Sequence, residues 1–353
     1  MTHRSWPEPD AAARLAFLQH LQRLFQEGDF SATYKYALLL ALAELAIECD
    51  CADGAPLEIP MRRLADKFAE FYWLQATPYI GTHDHDGVLI QNKGKQAAVV
   101  RHLIALRATG ATTLAQAHQH PRWNSTIRDI AKVVRDMPVR FLQNIPGGTV
   151  HFLYDPESAQ TSLTLLPGVA FNLRRFQGFI QQLVRAGWVN HIRSNRCNAH
   201  LVGAGADLES FMFGTPRALL AKVQKVLAPM QDHRCFFCAE ALDTRTAVDH
   251  FIPWSRYPRD TALNFVVAHA TCNADKRDLL AGGRHLERWL VRNGRDGDTI
   301  SGELQLAGFS SEPGVASTVA SWAYGEAVTA GVHVWQARGQ TERISPDLLR
   351  AFA

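Results

Sequence analysis

Two pairs of metal-ligating residues constrain this chain more than any other feature. Cys235 and Cys238 are separated by two residues, and His269 and Cys272 repeat that spacing later in the chain. Paired ligands of this kind direct their side chains at one soft, tetrahedral cation, which is usually zinc. The four residues therefore predict a structural Zn²⁺ site. The alternative is that the cysteines are small buried side chains without a metal.

The segment between the two pairs predicts a small β-hairpin followed by a helix. Residues 248–253 alternate apolar and polar side chains and end at a proline, and residues 263–267 form a second short apolar run. The spacing becomes helical from about Thr271. Such a unit is too small to be stable alone, so we expect its folding to depend on the metal.

These residues resemble the HNH endonuclease family, the ββα-metal or His-Me finger nucleases, in its zinc-ribbon form. The resemblance rests on C-x-x-C, D-H-x-x-P, N and C-N-x-x-K and covers about residues 232–282. His269 is the one departure, because this pattern generally has a cysteine there. The resemblance implies a zinc-stabilised ββα nuclease module that hydrolyses phosphodiester bonds and leaves 5′-phosphate and 3′-hydroxyl ends.

The resemblance also implies a role for each polar residue of the motif. His250 is the general base that activates water, and Asn264 orients its ring. Asp249 and Asn273 hold a catalytic Mg²⁺ or Mn²⁺. Because neighbouring residues of a strand point to opposite faces, Asp249 and His250 share one site only where the strand ends or bends.

The chemistry of phosphodiester hydrolysis favours the same residue types. A histidine side chain titrates near neutral pH, so it can remove a proton from water in the cell. A hard divalent cation stabilises the negative charge of the leaving oxygen and prefers carboxylate and amide ligands. Contacts with the nucleic-acid backbone need cations, and the module offers three near its motif: Arg256, Lys276 and Arg277. For Lys276 the resemblance implies either a position near a phosphate or a role in fixing the start of the helix.

Several functional alternatives stay open at this level. Double-stranded DNA is the leading substrate, because a hairpin and a helix can straddle a backbone, but nicking, single strands and RNA are not separated from it. The family suggests a restriction or anti-phage role. Outside catalysis, the alternatives are a decayed copy, a non-catalytic zinc module that binds nucleic acid or protein, and a subunit of a larger defence complex.

The remainder of the chain predicts a mainly α fold with small β elements. We expect residues 1–230 to form a helical N-terminal domain for recognition or regulation, through which the chain binds a protein partner or its own copy. Residues 231–285 are the nuclease module, and residues 286–353 form a helical extension packed on it. A predicted helix followed by a strand at 188–192 suggests a winged-helix-like element near residues 161–195.

Composition narrows the class of protein. The chain has 353 residues and a formal charge of +3, so net charge alone does not indicate nucleic-acid binding. Its six cysteines, three of them in the metal motif, do not form a disulfide framework and favour a reducing cytoplasm. The N-terminus lacks a signal-peptide pattern, and the apolar stretch at 36–47 is too short for a bilayer. We further predict a solvated loop at His83–Asp86 and a turn at 294–298.

Overall fold

The structure is a computed structural model, and it divides into two compact units. The first unit comprises Met1–Thr112 and Ala117–Gly214, and the second comprises Thr113–Gln116 and Thr215–Ala353. Both units are mainly helical with small two-stranded sheets, which confirms the predicted fold class. The structure describes residues 6–49, 51, 53–80, 86–203, 207–214, 217–309, 311–312 and 314–352. Residues 83–85 of the predicted solvated loop lie outside these ranges.

Apolar helices form the core of the first unit. Helix α2 is rich in leucine and alanine, and all of its residues are buried. Helix α1 begins where Asp10 accepts a hydrogen bond from the Ala13 amide at 2.8 Å, as an N-terminal cap should. The helices up to residue 214 are α1 Ala11–Glu27, α2 Tyr34–Glu48, α3 Met61–Trp73, α4 Ala98–Arg107, α5 Leu114–Gln119, α6 Trp123–Val134, α7 Val169–Arg175, α8 Gln177–Ser194 and α9 Leu208–Phe213.

The strands of the first unit are short and pair antiparallel. The longest pair joins residues far apart in sequence, with Leu57 opposite Leu165. The other two pairs are local hairpins. The pairs are β1 Leu57–Pro60 with β6 Ser162–Leu165, β2 Tyr79–Ile80 with β3 Asp86–Gly87, and β4 Asn144–Ile145 with β5 Gly148–Thr149.

The predicted strand at 188–192 is wrong, because α8 continues through it to Ser194. A winged-helix-like helix–strand pair is therefore not formed there. Gly187 does not end the helix; it gives room to another side chain, since a Cβ at this position would lie 2.5 Å from the Tyr36 ring. Trp188 is fully buried. Burial of the tryptophan and close packing at the glycine outweigh the local strand preference.

The second unit contains the predicted hairpin followed by a helix. Strands β7 Thr246–His250 and β8 Phe265–His269 pair antiparallel, with Asp249 opposite Val266 and His250 opposite Phe265. Helix α11 Ala270–Lys276 follows β8 directly. The other elements of this unit are α10 Arg217–Met230, α12 Gly283–Ala307, α13 Val315–Ala330, and the hairpin of β9 His333–Ala337 and β10 Gln340–Arg343.

The core of the second unit extends beyond the hairpin and its helix. Residues from α10, β8 and α12 share one apolar cluster, which contains Val223, Leu227, Phe265, Val267, Ile300, Leu304 and Phe309. Helix α12 is continuous, so the turn predicted at 294–298 is wrong. Its buried side chains recur at helical spacing before and after Gly294 and Gly297, and their packing keeps the chain helical across these glycines.

Within the residues that the structure describes, no helix combines the length and apolar content that a membrane span requires.

Candidate active site and metal centre

Four soft ligands converge at the base of the β7–β8 hairpin. The ligand atoms of Cys235, Cys238, His269 and Cys272 all lie within 4.8 Å of one another. His269 is the last residue of β8 and Cys272 lies in the first turn of α11, so one ion would connect strand, helix and the preceding turn. Three sulfurs and one imidazole at this separation fit a tetrahedral structural zinc site.

The imidazole of His269 is oriented to serve as a ligand. Its Nε2 lies 2.9 Å from the Ala241 carbonyl oxygen, which can only accept, so Nε2 carries the proton. Nδ1 therefore keeps its lone pair, and it lies 3.3 Å from Cys238 Sγ, inside the cluster. A carbonyl on the second ring nitrogen is the usual support of a metal-bound histidine. The histidine at this position is thus compatible with the zinc site.

The three thiols are electrostatically coupled. Burial, followed by the charges of Cys235 and Cys238, raises the pKa of Cys272 to about 12. Neighbouring thiolates repel one another, so all three sulfurs can be deprotonated together only when a cation balances them. Binding of a divalent cation would therefore release protons and stabilise this part of the fold.

His250 lies at the end of β7 and is held by a carboxylate. Its Nε2 is 2.8 Å from Asp260 Oδ1, and the two side chains are 16% and 18% exposed. The ring also packs against Trp254 and Phe265, with ring centroids 5.0 and 4.9 Å away. Asp260 was missed by the sequence reasoning, because it lies in an irregular loop outside every motif position. The only sequence signal was an acidic residue between the D-H-x-x-P element and Asn264.

Asn264 contacts the backbone that follows His250, and not the ring. Its Oδ1 accepts from the Ile252 amide at 2.7 Å, and its Nδ2 donates to the Ile252 carbonyl at 3.0 Å. The Asn264 carbonyl also accepts from the Phe251 amide at 2.8 Å. These bonds correct the expected contact: both ends of the amide are used on the backbone, and the ring bonds to Asp260 instead.

Asp249 and Lys276 form a buried pair that connects β7 to α11. Lys276 Nζ lies 3.0 Å from Asp249 Oδ2 and donates to the His250 carbonyl at 3.1 Å. Burial raises the pKa of Asp249, and the charge of Lys276 acts in the opposite direction. Lys276 is 0% exposed, so its ammonium does not reach a surface where a phosphate could bind. The expectation that Lys276 contacts the nucleic-acid backbone is corrected accordingly.

Asn273 lies on α11 between the zinc ligand Cys272 and Lys276. Residues three apart share one face of a helix, so Asn273 is on the face from which Lys276 reaches Asp249. Its side-chain amide makes no hydrogen bond within the described part of the chain. Carboxylate and amide oxygens are ligands that Mg²⁺ and Mn²⁺ prefer, and Asp249 and Asn273 offer these two ligand types.

The other two expected backbone-binding cations differ in exposure. Arg277 is exposed directly after α11, with a φ of 51°. Arg256 is half-buried, and this burial lowers its pKa. Of the three cations expected to contact nucleic acid, Arg277 is thus the one that is exposed.

Helix α12 supports the site from outside the motif. Arg292 donates to the carbonyls of Phe265 at 2.8 Å and Leu263 at 2.6 Å, on either side of Asn264. Trp289 Nε1 donates to the same Leu263 carbonyl at 3.0 Å. Burial lowers the pKa of Arg292 to about 9. The sequence predicted a helical extension packed on the module but did not identify these contacts, because they are to backbone oxygens far away in the chain.

Comparisons with known families agree with this geometry. A family model described as "HNH endonuclease" matches residues 238–281, which contain most of the motif, and this confirms the predicted resemblance. A second model, described as "Domain of unknown function (DUF8808)", matches residues 15–205, more than half of the chain. No curated protein and no solved structure matches. The chain therefore belongs to the DUF8808 family and carries an HNH endonuclease domain towards its C-terminus.

Proposed function

We propose that this protein is a metal-dependent endonuclease that hydrolyses phosphodiester bonds of double-stranded DNA. One observation supports the proposal: His250 at the end of β7 is held by Asp260, and Lys276 joins the preceding residue, Asp249, to α11, the helix that carries Asn273. A general base, a carboxylate and an amide are the groups that metal-assisted hydrolysis needs. The adjacent Cys₃His cluster supports a zinc-stabilised module around them.

The base works through the nitrogen that Asp260 leaves free. A carboxylate only accepts, so the bond to Asp260 keeps the proton on Nε2 and the lone pair on Nδ1. Nδ1 takes a proton from water, the resulting hydroxide attacks phosphorus, and the bond from phosphorus to the 3′ oxygen breaks. Asp260 then stabilises the imidazolium. The leaving 3′ alkoxide takes a proton from solvent water, and the imidazolium later returns its proton to solvent. The products are a 5′-phosphate and a 3′-hydroxyl.

Asp249 and Asn273 would hold Mg²⁺ or Mn²⁺, which when bound supplies positive charge to the developing negative charge at phosphorus and on the leaving oxygen. Other residues of the chain hold these two ligands in position. Cys272, as a ligand of a bound zinc ion, would fix the start of α11, and Lys276 connects the end of α11 to Asp249. Asn264 fixes the backbone after His250.

For biological role, we propose a restriction or anti-phage effector that works in the cytoplasm, with the first unit as its sensor or partner-binding part. The HNH domain supports this role, because domains of this family are used in restriction and anti-phage defence. The six cysteines form no disulfide, which suits a reducing compartment. Phage plating on cells that express the wild-type or the His250→Ala protein tests the role. Equal plating efficiency on the two would remove the anti-phage part of the proposal.

Plasmid cleavage tests the enzymatic function. Supercoiled DNA is incubated with zinc-loaded protein and Mg²⁺ or Mn²⁺, and the nicked and linear forms are quantified. We expect cutting by the wild-type protein and by Lys132→Ala, an exposed control on α6, and a loss of orders of magnitude in His250→Ala. Labelled duplex, single-stranded and RNA oligonucleotides identify the substrate, and end-labelling identifies the 5′-phosphate. Cutting by a folded His250→Ala protein would refute the assigned base.

A non-catalytic zinc module is the second candidate, because the Lys276 ammonium already balances the charge of Asp249. Electron paramagnetic resonance can monitor the binding of Mn²⁺ to the zinc-loaded protein, and this measurement distinguishes a nuclease from a non-catalytic zinc module. A nuclease should bind Mn²⁺ at a site lost in Asp249→Asn. DNA binding without such a site, and without cutting, would favour the binding module.

A further inference from the structure

The first unit contains a cavity that the nuclease chemistry does not use. It has a volume of about 460 Å³, which lies in the range of small-molecule sites. Its walls come from the loop before α2, the turn after α6 and the β4–β5 hairpin. The residues that matter for recognition are Asp29, Lys35, Met137, Pro138, Phe141 and Ile145.

Lys35 is the unusual member of this wall. It is 9% exposed, yet its ammonium makes no hydrogen bond and no ion pair with any residue that the structure describes. Its ammonium lies over the Phe30 ring, whose centroid is 5.6 Å away. Burial lowers the pKa of Lys35, and the exposed carboxylate of Asp29 acts against this. Asp29 attracts the ammonium but forms no ion pair with it, so this largely buried lysine retains the capacity to bind an anion.

The start of α2 adds positive potential to the same wall. Lys35 is the second residue of this fifteen-residue helix. Thr33, at the cap position, makes no cap bond; its hydroxyl pairs with the Tyr72 hydroxyl at 2.7 Å. The amides of the first turn therefore have no side-chain acceptor from the cap, and the positive end of the helix dipole lies beside the ammonium.

Another part of the cavity wall is apolar and exposed. Met137 and Phe141 are 49% and 46% exposed, although side chains of this size are usually buried. Pro138 lies between them in a π-helical turn, Arg135–Val139, a distortion that is frequent at functional sites. A buried cation facing an apolar rim matches a ligand that has an anionic group at one end and an apolar body at the other.

We propose that the first unit binds a small organic anion in this cavity, with an oxyanion group at Lys35 and the start of α2 and an apolar body against Met137 and Phe141. The oxyanion can be a phosphate or a carboxylate, since an ammonium and backbone amides recognise both. This site is independent of the proposed nuclease, and it assigns a ligand-binding property to the part of the chain that matches the DUF8808 family.

Calorimetric titration of the full-length, zinc-loaded protein tests the site with three probes of similar body. Phenyl phosphate and benzoate carry the two oxyanions, and benzyl alcohol is the neutral match. We expect saturable binding of at least one anion, weakened about tenfold or more in Lys35→Met and unchanged in Lys132→Met, an exposed lysine of the same unit. Benzyl alcohol should bind more weakly than that anion.

A second variant protects the test against misfolding of Lys35→Met, and circular dichroism checks both. Met137→Glu places a carboxylate at the exposed rim, so it should fold. It should weaken the binding of both probes by removing an apolar contact, and it should weaken the anion more than benzyl alcohol because the new carboxylate repels the oxyanion. Absence of saturable binding for both anions overturns the site. Anion binding that survives in folded Lys35→Met and in Met137→Glu, or that benzyl alcohol equals, also overturns it. None of these readouts depends on DNA cleavage.

Discussion

Replacing Asp260 by asparagine should nearly abolish cleavage while the fold survives. In the wild-type protein the carboxylate accepts from His250 Nε2 at 2.8 Å and leaves a lone pair on Nδ1. An asparagine amide at this distance can donate to Nε2, which moves the ring proton to Nδ1 and removes the base. The substitution changes one charge and no volume, so packing in the loop is conserved.

The magnitude follows from what the bond does. A correctly placed general base contributes roughly 10²–10⁴ in rate. Loss of the productive tautomer should therefore lower kcat by about 10²–10³, which is about 3–4 kcal/mol at 1.36 kcal/mol per factor of ten. The stability cost is smaller, about 1–2 kcal/mol, because one hydrogen bond to a partly exposed pair is lost.

Single-turnover cleavage of a labelled duplex, with zinc content and thermal melting measured in parallel, decides the matter. Asp298→Asn, an exposed carboxylate on α12, is the matched control and should cleave normally. In a double-mutant cycle, Asp260→Asn should add nothing to His250→Ala, because the two residues act as one unit. A folded Asp260→Asn protein with more than about a third of wild-type kcat, or with a loss additive to that of His250→Ala, would refute the reasoning.

Three further outcomes are expected. Cys235→Ser should lose zinc and the cooperative melting of the hairpin unit, because metal binding contributes to the folding free energy. Elemental analysis measures the zinc and circular dichroism measures the melting. A zinc-free variant that melts like wild type would contradict this. Gly187→Ala should lower the free energy of unfolding by about 1–3 kcal/mol, because its Cβ would lie 2.5 Å from Tyr36, whereas Gly178→Ala on the same helix meets nothing within 4 Å and should be neutral or stabilising in denaturant titration. Burial lowers the pKa of His285 on α12 to about 4, so as the pH falls the unfolded chain takes up the proton at a higher pH than the folded chain does. The free energy of unfolding of the wild type should therefore fall from about pH 6.5 towards 4, by up to about 1.4 kcal/mol per pH unit relative to His285→Gln. Parallel pH profiles of the two proteins would disprove this.

The chemistry of the second unit was predictable because it depends on residues close in sequence. Two C-x-x-C-like spacings on a hairpin and the helix after it bring their ligands together through local geometry alone. The structure confirms the convergence of Cys235, Cys238, His269 and Cys272. The helical character of the first unit was predicted for a similar reason, since the apolar stretch at 36–47 lies within α2.

Predictions failed where a distant contact decides the role of a residue. Lys276 has the sequence context of a phosphate-binding cation, but Asp249 and the His250 carbonyl hold it in the interior. The loop between the strands brings Asp260, and not Asn264, to the His250 ring. Neither outcome is encoded in spacing or periodicity, because both depend on the path of an irregular loop.

Sequence alone thus determined the Cys₃His ligand set, the hairpin–helix order and the resemblance to HNH endonucleases, all of which follow from local spacing and side-chain type. Tertiary structure decided which group orients His250, which cation is buried, and that Arg292 of α12 supports the loop from outside the motif. The physical reason is that burial and hydrogen-bond partners are set by chain segments far apart in sequence. A charged side chain becomes a surface contact or an internal support only once those segments are packed.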